Sequence, residues 1–275
     1  MKVLISTDIE GVAGVIHPDQ TRRGGPDYER ARLWMVQEAN AAITGAFAAG
    51  ADRVYVNDSH GDFRNMPADC LDPRAHAIQG KPRHLGMMAG VDLGIDAVCL
   101  IGYHSRAHGR GILAHTINGF AFASIAIQGQ ELGEAGIYGA LAGEFGVPVA
   151  MASGDDVFIA ENRALFPDTV FVETKQATGC HSGISLSPEA SCAAIRAGVA
   201  AALTRPRPAP FRLPAPLTVE ISAQNPALAD LFGQWPSLHR REGSPLQFEA
   251  GSVAEAVRVI NSLSAMSSFL RSAAG

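Results

Sequence analysis

The sequence predicts an α/β protein with a doubly wound, mostly parallel sheet and a smaller C-terminal α+β unit. Short apolar segments alternate with longer helical patterns over the first two thirds of the chain, which is typical of strands and helices built around a parallel sheet. Several of the apolar segments are continuous runs, as expected for strands buried on both faces. A proline-rich segment then separates this part from a second group of elements.

The first strand and the first long helix have clear local signals. Residues 2–7 (KVLIST) form an apolar run that ends in loop residues, which predicts a strand. After a loop rich in Gly, Pro and charge, Asp27 is a suitable N-cap for a helix that ends near Phe47, with Gly50 just beyond it. Apolar side chains recur in this helix at helical spacing and should face the core: Leu33, Val36, Ile43 and Phe47.

Further apolar runs predict the remaining strands of the sheet, and the segments between them predict helices. The predicted strands are 53–57, 96–102, 120–128, 147–152 and 169–174, with another near 112–117. The predicted helices are 132–145, 156–165 and an Ala-rich one at 188–203 that begins with Ser187-Pro188. Residues 61–95 are rich in Gly and Pro and predict no definite element.

The segment 205–216 (RPRPAPFRLPAP) holds five prolines in twelve residues. Proline is excluded from helix interiors and central strands, so this segment predicts a connector. We therefore expect two domains, a metal-binding α/β domain over 1–204 and a small α+β domain over 205–275. The elements predicted in the second domain are strands at 217–222 and near 246–249 and helices at 226–232 and 252–271.

Composition excludes several classes of function. The net charge of −5, from 22 basic and 27 acidic residues, argues against a nucleic-acid-binding protein. Only 18% of the 275 residues are charged, against about 25% in typical proteins, which suggests a surface partly buried in an oligomer. No apolar run reaches the ~18 residues of a membrane span. The N-terminal residues lack a secretory pattern, so a cytoplasmic location is expected.

Potential metal ligands follow several of the predicted strands. Ligands bind at the carboxyl ends of strands in open α/β sheets, and parallel strands would bring these groups to one rim. Asp, Glu and His suit Zn²⁺, and Mn²⁺ or Fe²⁺ less well. The segments that follow the strands are Thr7-Asp8-Ile9-Glu10-Gly11, Asn57-Asp58-Ser59-His60, Gly102-Tyr103-His104 and Ser153-Gly154-Asp155-Asp156.

Glu134, in Gly133-Glu134-Ala135-Gly136 at the start of a predicted helix, is a further candidate ligand. Each of these candidates, like His115, also has a structural interpretation when it is taken alone. Asp8 could cap a loop, His60 could lie in a solvated turn, and His104 could be packed in the core. Glu134 could simply favour the start of its helix, and an N-cap is the simplest role for Asp155 and Asp156. His115 lies in a strand-like stretch and could be packed there. The joint pattern, and not any single residue, favours a metal site.

The same landmarks resemble a known family, the M55 D-aminopeptidases, or DppA-type zinc peptidases. The first landmark is the SxDxEG-like segment Ser6–Gly11. The others follow in order to about residue 190: Tyr28-Glu29-Arg30-Ala31-Arg32, Glu38-Ala39-Asn40, Asn57-Asp58-Ser59-His60, Gly102-Tyr103-His104-Ser105-Arg106-Ala107, His115, Gly133-Glu134, Gly154-Asp155-Asp156 and Lys175-Gln176.

The resemblance implies a zinc aminopeptidase for short peptides with an N-terminal D-amino acid, such as D-Ala-D-Ala. It implies stacked rings forming a homodecamer, with active sites that face an internal channel. His115 corresponds to the family's proposed catalytic residue. Two segments, 133–138 and 177–182, depart from the family pattern, and both bear on the substrate pocket. The implied ligands of two Zn²⁺ ions per subunit are Asp8 (bridging), Glu10, His60, His104 and Glu134.

Two mechanistic expectations follow. An imidazole is a weak nucleophile toward an amide, so we favour His115 as a proton shuttle or oxyanion stabiliser. We expect Asp58 to orient the His60 ring and consider Asp155 and Asp156 as partners of the substrate amine.

Two other functions remain open. One is a metal-dependent hydrolase of another amide or of a phosphoester, with Arg106 and Arg110 near the metals. The other is a non-catalytic peptide-binding protein on the same fold.

Overall fold

The computed structural model describes residues 1–240 and 246–273. The strands are β1 (Lys2–Thr7), β2 (Arg53–Asp58), β3 (His76–Ile78), β4 (Ala97–Ile101), β5 (Phe122–Ile127), β6 (Gln130–Glu131), β7 (Val149–Asp155), β8 (Val170–Gly179), β9 (Ser182–Ser185), β10 (Leu217–Ala223), β11 (His239–Arg240) and β12 (Leu246–Ala250). The helices are α1 (Pro18–Thr21), α2 (Tyr28–Ala48), α3 (Glu134–Glu144), α4 (Asp156–Asn162), α5 (Pro188–Thr204), α6 (Pro226–Phe232) and α7 (Val253–Ala273).

Two sheets organise these elements. The larger has seven strands in the order β3-β2-β1-β4-β7-β8-β9. Its pairs are parallel except for β8 with β9. The second sheet is antiparallel, in the order β11-β12-β10-β5-β6. The predicted α/β class with a mostly parallel sheet is therefore confirmed.

Both faces of the large sheet are covered by other elements. Successive side chains of a strand point to opposite faces, so each strand contributes to both cores. Val3 and Ile5 of β1 pack in a core with α2 and α5. Leu4 points the other way, into a core shared with α3, α7 and the antiparallel sheet. Leu33 was predicted to face the core and does not, since it is 43% exposed on the outer side of α2.

The predicted strand over 120–128 exists, but it belongs to the second sheet. Its β5 pairs with β10, with Ile125 opposite Ile221, so the antiparallel sheet takes strands from both sides of the connector 205–216. The connector itself forms neither helix nor strand. The division into domains at 204/205 stays a prediction.

The strand predicted near 112–117 is wrong. Leu113 and Ile117 have φ of 57° and 61°, and such left-handed backbone interrupts an extended strand. The segment is a loop. Within the described residues, no helix is both long and apolar enough to cross a membrane.

Candidate metal centre

Three parallel neighbours of the large sheet deliver candidate ligands to one edge. Asp8 and Glu10 follow β1, His60 follows β2 and His104 follows β4. The loops after the strands stay paired at first, since the N–H of Asp8 donates to Ile101 O at 2.8 Å. This pairing explains why groups that are far apart in sequence meet beyond the sheet.

Two further candidates come from outside these strand ends. Glu134 is the first residue of α3, where a carboxylate is favoured by the positive end of the helix dipole. His115 lies in the loop between β4 and β5 and stacks on His104, with ring centroids 4.1 Å apart and planes 12° apart. The loop therefore returns His115 to the ligand cluster, although eleven positions separate it from His104.

Asp8 lies in the middle of the cluster. Its Oδ1 is 3.2 Å from His60 Nδ1, and its Oδ2 is 3.4 Å from His104 Nε2. Glu10 Oε2 lies 3.1 Å from His60 Nδ1, and Glu134 Oε1 lies 3.3 Å from His104 Nε2. The two oxygens of Asp8 thus face two different halves of the site.

Backbone carbonyls fix the orientation of all three imidazoles. His60 Nε2 lies 2.7 Å from Thr21 O, and His104 Nδ1 lies 2.9 Å from Ser105 O. His115 Nδ1 lies 2.9 Å from Leu113 O. A carbonyl oxygen only accepts, so each of these ring nitrogens carries the proton and donates it. The other nitrogen of each ring then faces the carboxylates, which is the arrangement typical of metal-ligating histidines.

Burial and charge make the cluster attractive to a cation. Asp8, Glu10, His104 and Glu134 are each at most 4% exposed. Burial alone would lower the pKa of His60 and His104, but the neighbouring carboxylates raise both well above the ordinary value. Burial, together with the Glu10 charge, raises the pKa of Asp8. Three carboxylates buried away from water therefore favour the binding of a positive charge between them.

Among the buried side-chain atoms that lack a hydrogen-bond partner within the described residues, two belong to the candidate ligands. Glu10 Oε2 and His104 Nε2 approach charged neighbours but form no hydrogen bond of good geometry. A buried polar atom without a partner is costly, and metal coordination removes that cost. Donor atoms of Asp8, Glu10 and His104 lie within 4.8 Å of one another, as do those of His104, His115 and Glu134. The donor set fits zinc, which takes His nitrogen and carboxylate oxygen.

The expectation that Asp58 orients the His60 ring is wrong. Its carboxylate instead accepts from the backbone N–H of Asn65 and Met66 and from Asn65 Nδ2, at 2.5–2.8 Å. The Asn65 amide also donates to His60 O at 2.6 Å. Asp58 therefore shapes the loop that carries His60, while Thr21 O orients the ring.

Asp155 and Asp156 have structural roles. Asp155 is the N-cap of α4 and accepts from the N–H of Phe158 and of Ile112. Asp156 accepts from the N–H of Ala177. The N-cap interpretation of Asp155 is confirmed, and its engaged, buried oxygens do not offer a site for a substrate amine.

Of the two arginines considered for a phosphoester, one is engaged in an ion pair and the other lines a different cavity. Arg106 forms an ion pair with Glu161 at 2.8 Å. Arg110 lines a separate surface cavity of about 410 Å³ beside Thr178 and Cys180. The remaining histidines of the first two thirds are exposed: His17, His76, His84, His108 and His181.

Sequence reasoning left three buried groups without a role. Lys175 of β8 donates to the backbone carbonyls of Glu10 and Val15, Thr174 donates to Gly11 O, and Glu38 of α2 accepts from Ala13. Lys175 and Glu38 both belong to segments that resemble the family pattern. Their spacing in the sequence does not show whether such a side chain is buried or lies on the surface.

Comparison with known proteins gives a consistent picture. The model of the Peptidase_M55 family, described as D-aminopeptidase, matches residues 1–262. A D-aminopeptidase of Bacillus subtilis (strain 168) is 32% identical over 264 residues, which covers 94% of this chain and 95% of that protein. The solved structure of "Zn-dependent D-aminopeptidase DppA from Bacillus subtilis, a self-compartmentalizing protease" is similar, with a TM-score of 0.94, 29% identity and 97% of each chain covered.

Proposed function

Since the chain belongs to the M55 family of D-aminopeptidases, we propose that it is a zinc aminopeptidase that removes the N-terminal residue from short peptides. The proposed substrates carry a D-amino acid at that position, as in D-Ala-D-Ala. The family and the similarity to a Zn-dependent structure support the assignment as a zinc aminopeptidase. The preference for a D-amino acid at the N-terminus of the substrate is a more specific proposal.

One observation carries this proposal: every imidazole of the cluster donates one ring N–H to a backbone carbonyl and turns its other nitrogen toward buried carboxylates. Asp8 would bridge two zinc ions, because each of its oxygens faces a different imidazole. The other ligands would be Glu10, His60, His104 and Glu134. Ligand-type side chains on both sides of Asp8, with Glu10 and His60 on one side and His104 and Glu134 on the other, support a count of two.

Bound zinc would act as a Lewis acid that polarises the scissile carbonyl and lowers the pKa of water. The chain itself would manage the protons through His115. Leu113 O holds the proton on Nδ1, so Nε2 is free to accept one on the side of Glu134, 3.7 Å away. His115 is 25% exposed, more than the other imidazoles, and can reach a bound substrate. We assign it the transfer of a proton to the departing amine.

Lys81 would bind the free carboxylate of a short peptide. Its ammonium lies 4.3 Å from the Phe63 ring centroid and has no carboxylate within 4 Å in the described chain. Burial and the Arg83 guanidinium lower its pKa, while the charges of Asp62 and of the candidate ligand Glu134 raise it. A cation at this place would favour peptides that end close to the scissile bond.

A ring-shaped homodecamer is the proposed assembly. The similar structure is described as a self-compartmentalizing protease. This chain exposes large apolar side chains that an interface would cover, among them Ile184 at 66% and Leu186 at 39%. Light scattering of the purified protein would give the subunit number.

The alternatives have less support. Neither arginine considered for a phosphate supports a phosphoester hydrolase, because Arg106 is paired with Glu161 and Arg110 lines a separate cavity. A purely peptide-binding protein would not need His115 with a free Nε2 beside the ligand cluster.

One experiment tests the whole proposal. Zinc is measured by elemental analysis, and hydrolysis of D-Ala-D-Ala is compared with that of L-Ala-L-Ala on the same sample. About two zinc ions per chain and preference for the D-peptide are expected. Zinc without turnover of either peptide would contradict the enzyme, and equal rates would contradict the D-selectivity.

A further inference from the structure

The segment that carries two of the candidate ligands is held by buried side chains from other elements. We call residues 8–15 the ligand loop. Lys175 Nζ donates to Glu10 O at 2.5 Å and to Val15 O at 2.6 Å. These two carbonyls lie near the beginning and at the end of the ligand loop. Thr174 Oγ1 donates to Gly11 O at 2.6 Å. Two consecutive residues of β8 therefore bind three carbonyls of one loop.

The opposite side of the ligand loop is fixed against the segment that leads to His104. Gly11 N–H donates to Gly102 O at 2.8 Å. A Cβ on Gly11 would lie 1.9 Å from Tyr103 O, so the two backbones are in direct contact. The ligand loop is thus held between the β4 end and β8, and its position relative to His104 depends on both contacts.

We infer that Lys175 is a positioning residue, which sets the carboxylates of Asp8 and Glu10 for metal binding by holding the ligand loop. Thr174 supports the same loop. This inference rests on the zinc site proposed above and extends it to residues that touch no metal.

An ammonium at this position needs an explanation beyond packing. Lys175 is 2% exposed, and burial lowers its pKa to about 8 against the attraction of Asp155, Glu38 and Glu10. Apolar side chains of similar volume often replace a whole buried ion pair without loss of stability, so stability alone does not explain why a charge is kept in the interior. The Lys175 ammonium donates to both Glu10 O and Val15 O from one atom, and so links the two ends of this part of the ligand loop.

The test is the zinc affinity of variants, measured by competition with a chromophoric chelator. Residues that orient metal ligands change metal affinity by about 10- to 100-fold when they are replaced, and we expect a loss of this order for Lys175→Met. Lys175→Arg keeps the charge and several donors and should recover part of the affinity. Lys2→Met is the matched control, because Lys2 Nζ donates to Leu93 O at the other end of β1. It should bind zinc like the wild type.

The outcomes separate this inference from the proposed function. Failure of the wild type to bind zinc would overturn the proposed function, and this inference with it. Zinc affinity of Lys175→Met equal to wild type, in a variant with a normal circular dichroism spectrum, would overturn this inference alone. A lower Tm of the metal-free protein with unchanged zinc affinity would also overturn it, since that is what a packing role predicts.

A second variant covers the case in which Lys175→Met does not fold. Thr174→Val keeps the shape of the side chain and removes the hydrogen bonds to Gly11 O and Gly154 O. Weaker zinc binding by this variant supports the inference. Unchanged zinc binding contradicts it.

Discussion

Glu38→Gln should stabilise the protein at neutral and alkaline pH. Glu38 is 1% exposed in α2, where Oε1 accepts from Ala13 N–H at 3.0 Å and from the Ser191 hydroxyl at 2.7 Å. Its Oε2 has no partner among the described residues. The glutamine carbonyl can accept the same two hydrogen bonds, so the substitution chiefly removes a buried negative charge.

The pKa of Glu38 gives the magnitude and the sign. Burial raises this pKa from 4.5 to about 7, although Ala13, Ser191 and Lys175 oppose the shift. Between these values the native protein keeps a proton that the unfolded chain releases, so the free energy of unfolding falls as pH rises. Above pH 7 the whole pKa difference between the native and the unfolded state lowers the free energy of unfolding, by about 3 kcal/mol at 1.36 kcal/mol per pKa unit. Glutamine does not titrate and escapes this loss.

The assay is urea unfolding of wild type and variant at several pH values from 5 to 8, with equal zinc and protein concentrations. The difference between the two proteins is used, because the metal ligands titrate in both. That difference should grow by about 3 kcal/mol with rising pH. Glu29→Gln, which changes an exposed carboxylate of the same helix, should give a flat difference. A flat difference for Glu38→Gln would refute the reasoning.

Four other changes test the site. His115→Gln should lower kcat by about 10²- to 10⁴-fold with zinc content unchanged, and loss of zinc would instead make His115 a ligand. Asp8→Asn should bind less than the wild-type amount of zinc on elemental analysis, because it removes the oxygen that faces one half of the site. Chelation of zinc should abolish hydrolysis and lower Tm, and added zinc should restore both; activity that survives chelation would contradict a metal mechanism. Lys81→Met should raise KM for a free dipeptide but not for its C-terminal amide, and an equal change in both would remove Lys81 from substrate binding.

The edge of the sheet on which the site lies could be predicted from the sequence. Asp8, His60 and His104 directly follow apolar runs, and parallel strands place their carboxyl ends together. The structure brings these three side chains into contact for that reason. Glu134 was a candidate ligand from its place at the start of a predicted helix, whereas the role of His115, which lies in a loop, came only from the resemblance to a family.

The remaining features depend on tertiary contacts without a local signal. The apolar run at 120–128 has the pattern of a strand in either sheet, and only the partner β10, almost a hundred residues later, decides between them. The partner of His60 is a backbone carbonyl of Thr21, which any residue type could supply. Asp58 is close to His60 in sequence, but the hydrogen bond expected from it is made by the backbone oxygen of Thr21, the last residue of α1.

The buried charges around the ligand loop act together. Glu38 binds the N–H of Ala13, and Lys175 binds the carbonyls on either side of it. Each charge lowers the energetic cost of the other, since Lys175 lowers the pKa of Glu38 and Glu38 raises that of Lys175. Removing the Lys175 charge leaves the Glu38 carboxylate buried with less compensation, whereas the raised pKa of Glu38 already includes the opposing contribution of Lys175. Part of any destabilisation by Lys175→Met therefore arises at Glu38, and zinc affinity, not stability, isolates the effect of Lys175 on the metal ligands.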